Sequence, residues 1–448
     1  MKKIFLIISI FATGLANAQE VITLGLPEAV NHALAHKADA EKARLDIEKG
    51  EAQIAEVKAG AYPKFNINSV TSFNPLLQET VLPGEIFGMP GEKMKVSFGQ
   101  KWIANANAQL TQVLFNQSVF TGLKAARSTR DFYLANAELT DVQIIERVAN
   151  AYYQVYQAQQ MLDNLDSTLA FTRQTVNIIK GLYDAGLAKK IDFDRSNVVL
   201  NNIIGGRQQL VNAHELSQNA LKFMIGMSME QEIRLPANTF NTPIMAAYDS
   251  TYTDDRAELK VLNRQLELLN WQKKATEATF YPSVSLAANY GIFGQGARVP
   301  WWHGERNGVF WSDVSSVNLQ VSIPIFNGFA TKAKIKQNEI EIKKAEAGLR
   351  DIKLGLDLEQ KNAVTQINNN LIAIKTQENN VRLAEEVLAN TRNNYRYGLA
   401  TLNDLLDAER DLSEARNNLT RSQLDYKMAE IELLKSQGKL NTLNGSTN

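Results

Sequence analysis

Apolar residues recur every seven positions at Val148, Val155, Leu162, Leu169, Val176 and Tyr183, and a second column runs three residues later through Ala151, Ala158, Leu165, Thr172 and Ile179. Two columns at that spacing form a coiled-coil seam, and the strict period of seven implies left-handed supercoiling. No proline interrupts 116–183, so one helix is predicted there, roughly 100 Å long at about 1.5 Å per residue. The pattern returns 212 residues downstream as Ile367, Ile374, Val381, Leu388 and Tyr395, stops at Gly398, and resumes as Leu405, Leu412, Leu419, Tyr426 and Leu433. Ala408, Ala415, Ser422, Ala429 and Ser436 follow three positions behind. Large against small residues suits closely packed helices. The first-half partner, 188–228, is less regular and contains Gly205-Gly206.

The break is itself duplicated. YRYGLATLNDLLDAE (395–409) and the looser YDAGLAKKIDFDRSN (183–197) each place an aspartate six residues after a glycine: Asp404 after Gly398, Asp192 after Gly186. Glycine supplies the left-handed residue that ends a helix, and Thr401 with Asp404 has the spacing of a capping box that opens the next one. Shorter helices are predicted at 27–58 and 255–278, each before a Tyr-Pro pair, Tyr62-Pro63 and Tyr281-Pro282. The chain is an internal duplication.

After each Tyr-Pro the period falls to two. Strands are predicted at 64–73, 102–112, 283–292 and 312–323, with long polar loops at 74–100 and 294–310. In the second strand Trp102, Ala104, Ala106, Ala108 and Leu110 alternate with Ile103, Asn105, Asn107, Gln109 and Thr111; in the fourth, Val317, Leu319 and Val321 alternate with Ser316, Asn318 and Gln320. Trp301, Trp302 and Trp311 stand near one loop and Trp102 just after the other. A soluble sandwich with one wet face gives the same alternation. Strand length, small uncharged polar faces and tryptophans at strand ends point instead to transmembrane strands around a water-filled pore. On that reading Asn105, Asn107, Gln109, Asn318 and Gln320 line the pore. Four strands do not close a barrel and lipid does not tolerate an open sheet edge, so three copies giving twelve strands are the symmetric solution.

The first eighteen residues carry Lys2 and Lys3, an apolar run from Ile4 to Ala12 and Ala16-Asn17-Ala18, the pattern of a cleaved secretory signal. Its removal takes two lysines from 48 basic and 48 acidic residues, leaving 46 against 48 and a net charge of −2. That balance gives no electrostatic case for nucleic acid. Cysteine is absent, which excludes disulfides and thiolate chemistry. No nucleophile elbow, phosphate loop or paired-acid motif stands out, so neither an enzyme nor a cofactor is expected. His32 and His36 have a metal-compatible i, i+4 spacing but no HExxH glutamate and no evident third ligand, so no metal is expected. His214, His303 and the dispersed glutamates and lysines are expected in solvent.

The two helix–strand–strand–helix halves, the repeated Tyr-Pro, the IFNG at 325–328 and the paired glycine–aspartate breaks together resemble the TolC-type outer-membrane efflux protein family, over about 23–438. The resemblance implies an α+β membrane protein: a homotrimer with a twelve-stranded β-barrel in the outer membrane and a long α-helical barrel in the periplasm of a Gram-negative bacterium. It implies a passive exit duct for efflux or type I secretion, with outer-membrane lipid around it. Its partners would be a periplasmic adaptor (membrane-fusion) protein and an inner-membrane transporter of RND, ABC or MFS type. Asp192, Tyr395, Asp404 and Asp407 match the residues that close the family's periplasmic tip. Ala400 stands where well-known members carry arginine, and Lys189, Lys190, Arg195 and Arg396 are the candidate replacements. The expected division is a signal peptide at 1–18, a first repeat at 19–228, a connecting equatorial segment at 229–254, a second repeat at 255–440 and a flexible tail at 441–448. The rival readings are a periplasmic coiled-coil adaptor or scaffold without a pore and, with less support, a periplasmic hydrolase.

Overall fold

The computed structural model describes residues 22–236 and 256–445. The signal sequence, residues 237–254 of the connecting segment and the last three residues of the tail lie outside the described residues. In chain order the elements are β1 (Ile22–Thr23), α1 (Leu26–His36), α2 (Ala38–Ala59), β2 (Lys64–Phe73), β3 (Gln78–Pro83), β4 (Lys93–Phe98), β5 (Trp102–Asn116), α3 (Gln117–Asp184), α4 (Lys190–Ile225), β6 (Ile233–Arg234), α5 (Ala257–Glu277), β7 (Ser283–Gly296), β8 (Val309–Ser322), α6 (Ala330–Arg396) and α7 (Leu402–Ser436). They fall into two compact units. One comprises the chain up to Asp46 with Leu134–Leu262 and Ala347–Asn448; the other comprises Ile47–Tyr133 and Asn263–Glu346.

The second unit holds a four-stranded antiparallel sheet in the order β2-β5-β7-β8. Its register carries the alternation across all four strands. Asn68 pairs with Asn107 and Asn107 with Gly291, while Ile67 pairs with Ala108, Ala108 with Tyr290 and Ala288 with Val317. Directly opposed residues share a face, so one face gathers Asn66, Asn68, Asn105, Asn107, Gln109, Asn289, Asn318 and Gln320. The other gathers Phe65, Ile67, Leu110, Leu286, Leu319 and Val317, the last of these 73% exposed. Strands β5, β7 and β8 outrun their predicted ends. The loop 74–100 carries a hairpin of its own, β3 against β4, joined through a 3₁₀ turn, Gly84–Phe87, that Gly88 caps at φ 79°.

The first unit contains the predicted seams. Val148, Val155, Leu169 and Val176 are buried on α3, and on α7 the columns Leu405, Leu412, Tyr426, Leu433 and Ala408, Ala415, Ala429, Ser436 are buried too. Ile367 of α6 packs with Tyr426, Ala429 and Leu433. A larger core joins α1, α3, α4 and α7 through Val30, Ile145, Val148, Tyr152, Leu221, Ile225 and Ile431.

Two expectations fail here. The helix predicted over 27–58 is two helices, because Lys37 is extended (φ −73°, ψ 132°). Its Nζ donates to Phe223 O at 2.8 Å and lies 3.8 Å from the centre of the Phe223 ring, so the end of α4 pins the break. A 3₁₀ turn, Leu440–Asn444, follows α7, and buried Leu440 joins the core. The charges are not all solvated either. Arg256, 1% exposed, bonds Glu258 at 3.1 Å and Glu359 at 2.9 Å, and Lys435 reaches Glu146 at 3.0 Å and Glu359 at 3.3 Å. The seven-residue pattern records which positions are inside; it does not record that a charged residue inside has found partners.

This node ties α3, α5, α6 and α7. Removing one member of a buried pair strands the other, at a cost of about 3–5 kcal/mol. Arg256→Ala is therefore expected to lower stability by about that amount, read as a lower midpoint in denaturant unfolding followed by circular dichroism, and Glu258→Gln in the same chain, which removes the carboxylate left behind, should recover part of the loss.

Candidate functional site

Both reversals are built alike. Gly186 and Gly398 have φ of 74° and 71°, the left-handed region that costs other residues about 1–2 kcal/mol. In each, the following leucine donates back five residues, Leu187 N to Leu182 O at 2.7 Å and Leu399 N to Asn394 O at 2.8 Å. The glycine N–H reaches back three, to Tyr183 O and Tyr395 O. This pairing satisfies the last carbonyls of α3 and α6. The exits differ. Thr401 forms the full capping box: its hydroxyl accepts from Asp404 N at 3.2 Å, while the Asp404 carboxylate accepts from Thr401 N and Oγ1, both at 2.8 Å. Lys189, at the start of α4, caps nothing with its side chain; the first reversal is closed instead by Tyr183 stacked on Phe193, ring centres 5.8 Å apart.

The two reversals lie together. Arg195 Nη1 of α4 donates to Asn403 Oδ1 of α7 at 2.6 Å. Burial, and then the charge of Asp192, push the Tyr395 hydroxyl above its ordinary pKa. Asp192 and Tyr395, from different repeats, are thus neighbours. The Thr401 hydrogen bonds hold Asp404 below the usual carboxylate range. Asp407 pairs with Arg410 of its own helix at 3.1 Å, an exposed pair worth about 0–1 kcal/mol. Among the described residues neither Asp192 nor Asp404 makes an ion pair within the chain.

One residue escaped the sequence reading. Glu409 lies at 5% exposure beneath the reversal, where Thr172 Oγ1 and Thr175 Oγ1 of α3 donate to its carboxylate at 2.9 and 3.0 Å. Burial raises its pKa, opposed by the two threonines and by the charge of Arg392. Thr172 was visible as a polar member of the seam; the carboxylate it serves was hidden among the helix glutamates.

The histidine pair is engaged locally. His32 Nδ1 donates to Ile225 O at 2.9 Å, His36 Nδ1 to His32 O at 3.0 Å, and the rings stack with centres 4.2 Å apart. His214 is half-buried and burial lowers its pKa, contrary to the solvated expectation, and His303 bonds Val299 O at 3.0 Å.

On the sheet, Asn105, Asn107, Gln109, Asn318 and Gln320 share the polar face, as their register requires. Aromatic residues mark both ends of the apolar face. Trp301 Nε1 donates to Thr71 Oγ1 at 2.7 Å, the Trp301 and Trp311 ring centres are 5.2 Å apart, and Phe73 lies 4.6 Å from Trp102. Gly294 makes room for this cluster, since a Cβ there would stand 2.8 Å from the Trp311 ring. At the other end Tyr62, Phe280, Tyr281, Phe326 and Phe329 are exposed.

A sheet with one mostly apolar and one polar face between two aromatic borders is that of an outer-membrane strand protein. The chain belongs to the outer membrane efflux protein family, whose model matches residues 29–226 and 252–439. Its place is the Gram-negative outer membrane. The probable efflux pump outer membrane protein TtgC of Pseudomonas putida is 23% identical over 311 residues, 67% of this chain and 61% of that protein. The match thus spans less than two thirds of that relative. The outer membrane protein TolC of Vibrio cholerae is 23% identical over 75% of this chain and 77% of its own length. Among solved structures, the outer membrane protein VceC of Vibrio cholerae has a TM-score of 0.72 at 19% identity, covering 92% of this chain and 96% of that one.

The pKa of Glu409 gives a signed expectation. Raised in the fold, it contributes stability that is fully present below the ordinary value of 4.5 and is lost as pH rises through the raised value. Glu409→Gln should abolish that loss. Melting curves of the two chains between pH 4 and 8 should diverge with rising pH, the variant being the more stable at the alkaline end.

Proposed function

We propose that the protein is the exit duct of a tripartite efflux or type I secretion system: a homotrimer whose twelve strands close one barrel and whose long helices continue the conduit into the periplasm. The observation that carries this reading is the open four-stranded sheet. Strands β2 and β8 are bare edges, and one face is mostly apolar, with Asp313 its one charge. In lipid those edges must pair, and pairing β8 of one copy with β2 of the next satisfies them by rotation. The polar face, with Asn105, Asn107, Gln109, Asn318 and Gln320, would then line the pore.

The reversals would form the closed end. Asp192, Tyr395, Asp404 and Asp407 are grouped there, and threefold repetition would set carboxylates around the axis, favouring cations. Opening would part the α6–α7 pair from α3 and α4, driven by an adaptor that binds the open arrangement more tightly. Energy would come from an inner-membrane transporter, the duct itself being passive. A pore-free scaffold has no use for a sheet with an apolar outer face and two aromatic borders.

Planar-bilayer recording tests the reading. Purified protein should give cation-preferring pores of low conductance, and Asp404→Ala with Asp407→Ala should raise the conductance and weaken the preference. Asn107→Lys should lower cation current without changing gating. A chain that forms no pores even with both aspartates removed would sink the duct.

A further inference from the structure

Strand β8 ends in an extended run that carries its apolar face past the last paired residue. Val317, Leu319, Val321, Ile323 and Ile325 alternate along it, all exposed, Ile325 at 92%. The chain then turns through Asn327, Gly328 and Phe329 into α6, and Gly328 and Phe329 have φ of 62° and 64°. Among the described residues Phe329 is the one residue other than glycine with positive φ, a conformation in which Cβ crowds the following carbonyl. The turn is held by Asn327 Nδ2 donating to Thr331 Oγ1 at 2.5 Å and by Ala330 N donating to Asn327 O at 3.3 Å. What it presents is apolar: the Phe326 and Phe329 rings meet edge to face with centres 5.3 Å apart, yet stay 74% and 65% exposed. Strain that sets two phenyl rings outward gains nothing within the chain, so its compensation lies outside it.

A second unfavourable choice follows at once. Between Ile325 and Asn338 there are three lysines and no acidic residue. The first turn of α6 has no acid, and Lys332 stands there at the positive end of the helix dipole, the less favourable end for a cation. Lys336 pairs with Glu339 at 3.5 Å, whereas Lys332 and Lys334 are exposed and make no ion pair among the described residues. They lie three and five residues beyond Phe329, about 5–8 Å along the helix. The headgroup layer of one leaflet is about 5–8 Å thick.

We propose that the turn 325–329 with Lys332 and Lys334 is a docking site for anionic phospholipid, in the leaflet at the helix-bearing end of the sheet. The two rings enter the acyl boundary and the two lysines meet the phosphates beyond it. The protein's place in the outer membrane and the apolar run from Val317 to Ile325 both lead to that surface. A soluble acidic partner would match the lysines and leave the rings in water. The site rests on the sheet being membrane-spanning and not on its forming a pore.

Because the chain has no cysteine, a single bimane label can be placed at Ile325→Cys or, as a control on the same face of β8, at Leu319→Cys. The full chain is reconstituted in phosphatidylethanolamine vesicles holding a small fraction of phosphatidylglycerol or of phosphatidylethanolamine brominated on its acyl chains. At Ile325→Cys the brominated phosphatidylglycerol should quench about fivefold more effectively, the effect of one lysine at an anionic surface, and salt should reduce the preference. Lys332→Gln with Lys334→Gln should make the two lipids equal there, while quenching at Leu319→Cys stays as it was. Equal quenching by the two lipids with both lysines present overturns the site. So does a Phe329→Gly chain whose oligomer dissociates in detergent while the lipid preference survives, which would make the turn a contact between copies. Quenching at Leu319→Cys with none at Ile325→Cys removes the site and keeps the membrane-spanning sheet; quenching at neither position removes both.

Discussion

A backbone in lipid has no water to bond with, and this constraint governs the whole chain. Four strands with one apolar face leave the outer N–H and C=O groups of β2 and β8 without partners. A soluble protein meets such edges with charges, bulges or a covering loop. Here β2 reads KFNINSVTSF and β8 reads VFWSDVSSVNLQVS; each has a single charged residue within it and no proline. The charge on β8, Asp313, accepts from the Tyr290 hydroxyl at 3.1 Å. The edges are left fit for pairing with a strand of the same kind, and the duplication of the chain supplies strands of one kind twice over.

The helices meet a different constraint. A helix as long as α3 has no globular core to lie on, so its stability rests on a continuous seam, and a seam tolerates few interruptions. That is why the heptad columns were legible: Val148, Val155, Leu169 and Val176, or Leu405, Leu412, Tyr426 and Leu433, are buried along the seam. The glycine breaks were legible for a related reason, since positive φ leaves few residue choices. Strand alternation survived for the same cause, one face per solvent.

What stayed hidden shares a property too: it is set by tertiary contact rather than by local pattern. Nothing in the sequence AHKADAE marks Lys37 as extended, because the carbonyl and ring that hold it belong to Phe223. The hairpin β3–β4 lies in a polar stretch whose pairing depends on register. Arg256, Lys435 and Glu409 look like any other charged helix residues until the helices that supply Glu359, Glu146, Thr172 and Thr175 are beside them. Periodicity identifies what water avoids; it is silent on polar groups that leave water with a partner.

The reversal shows how its carboxylates are employed locally. Asp404 spends its oxygens on Thr401. Asp407 turns to Arg410 within its own helix, which fixes nothing between helices. Among the bonds that cross from one repeat to the other near the reversals are Arg195 to Asn403, and Glu409 to Thr172 and Thr175. Of these the second is buried, and a buried hydrogen bond to an ionisable group is stronger and more sensitive to protonation than an exposed ion pair. Near the reversals, part of the hold between the two repeats is therefore buried, on one carboxylate and two hydroxyls.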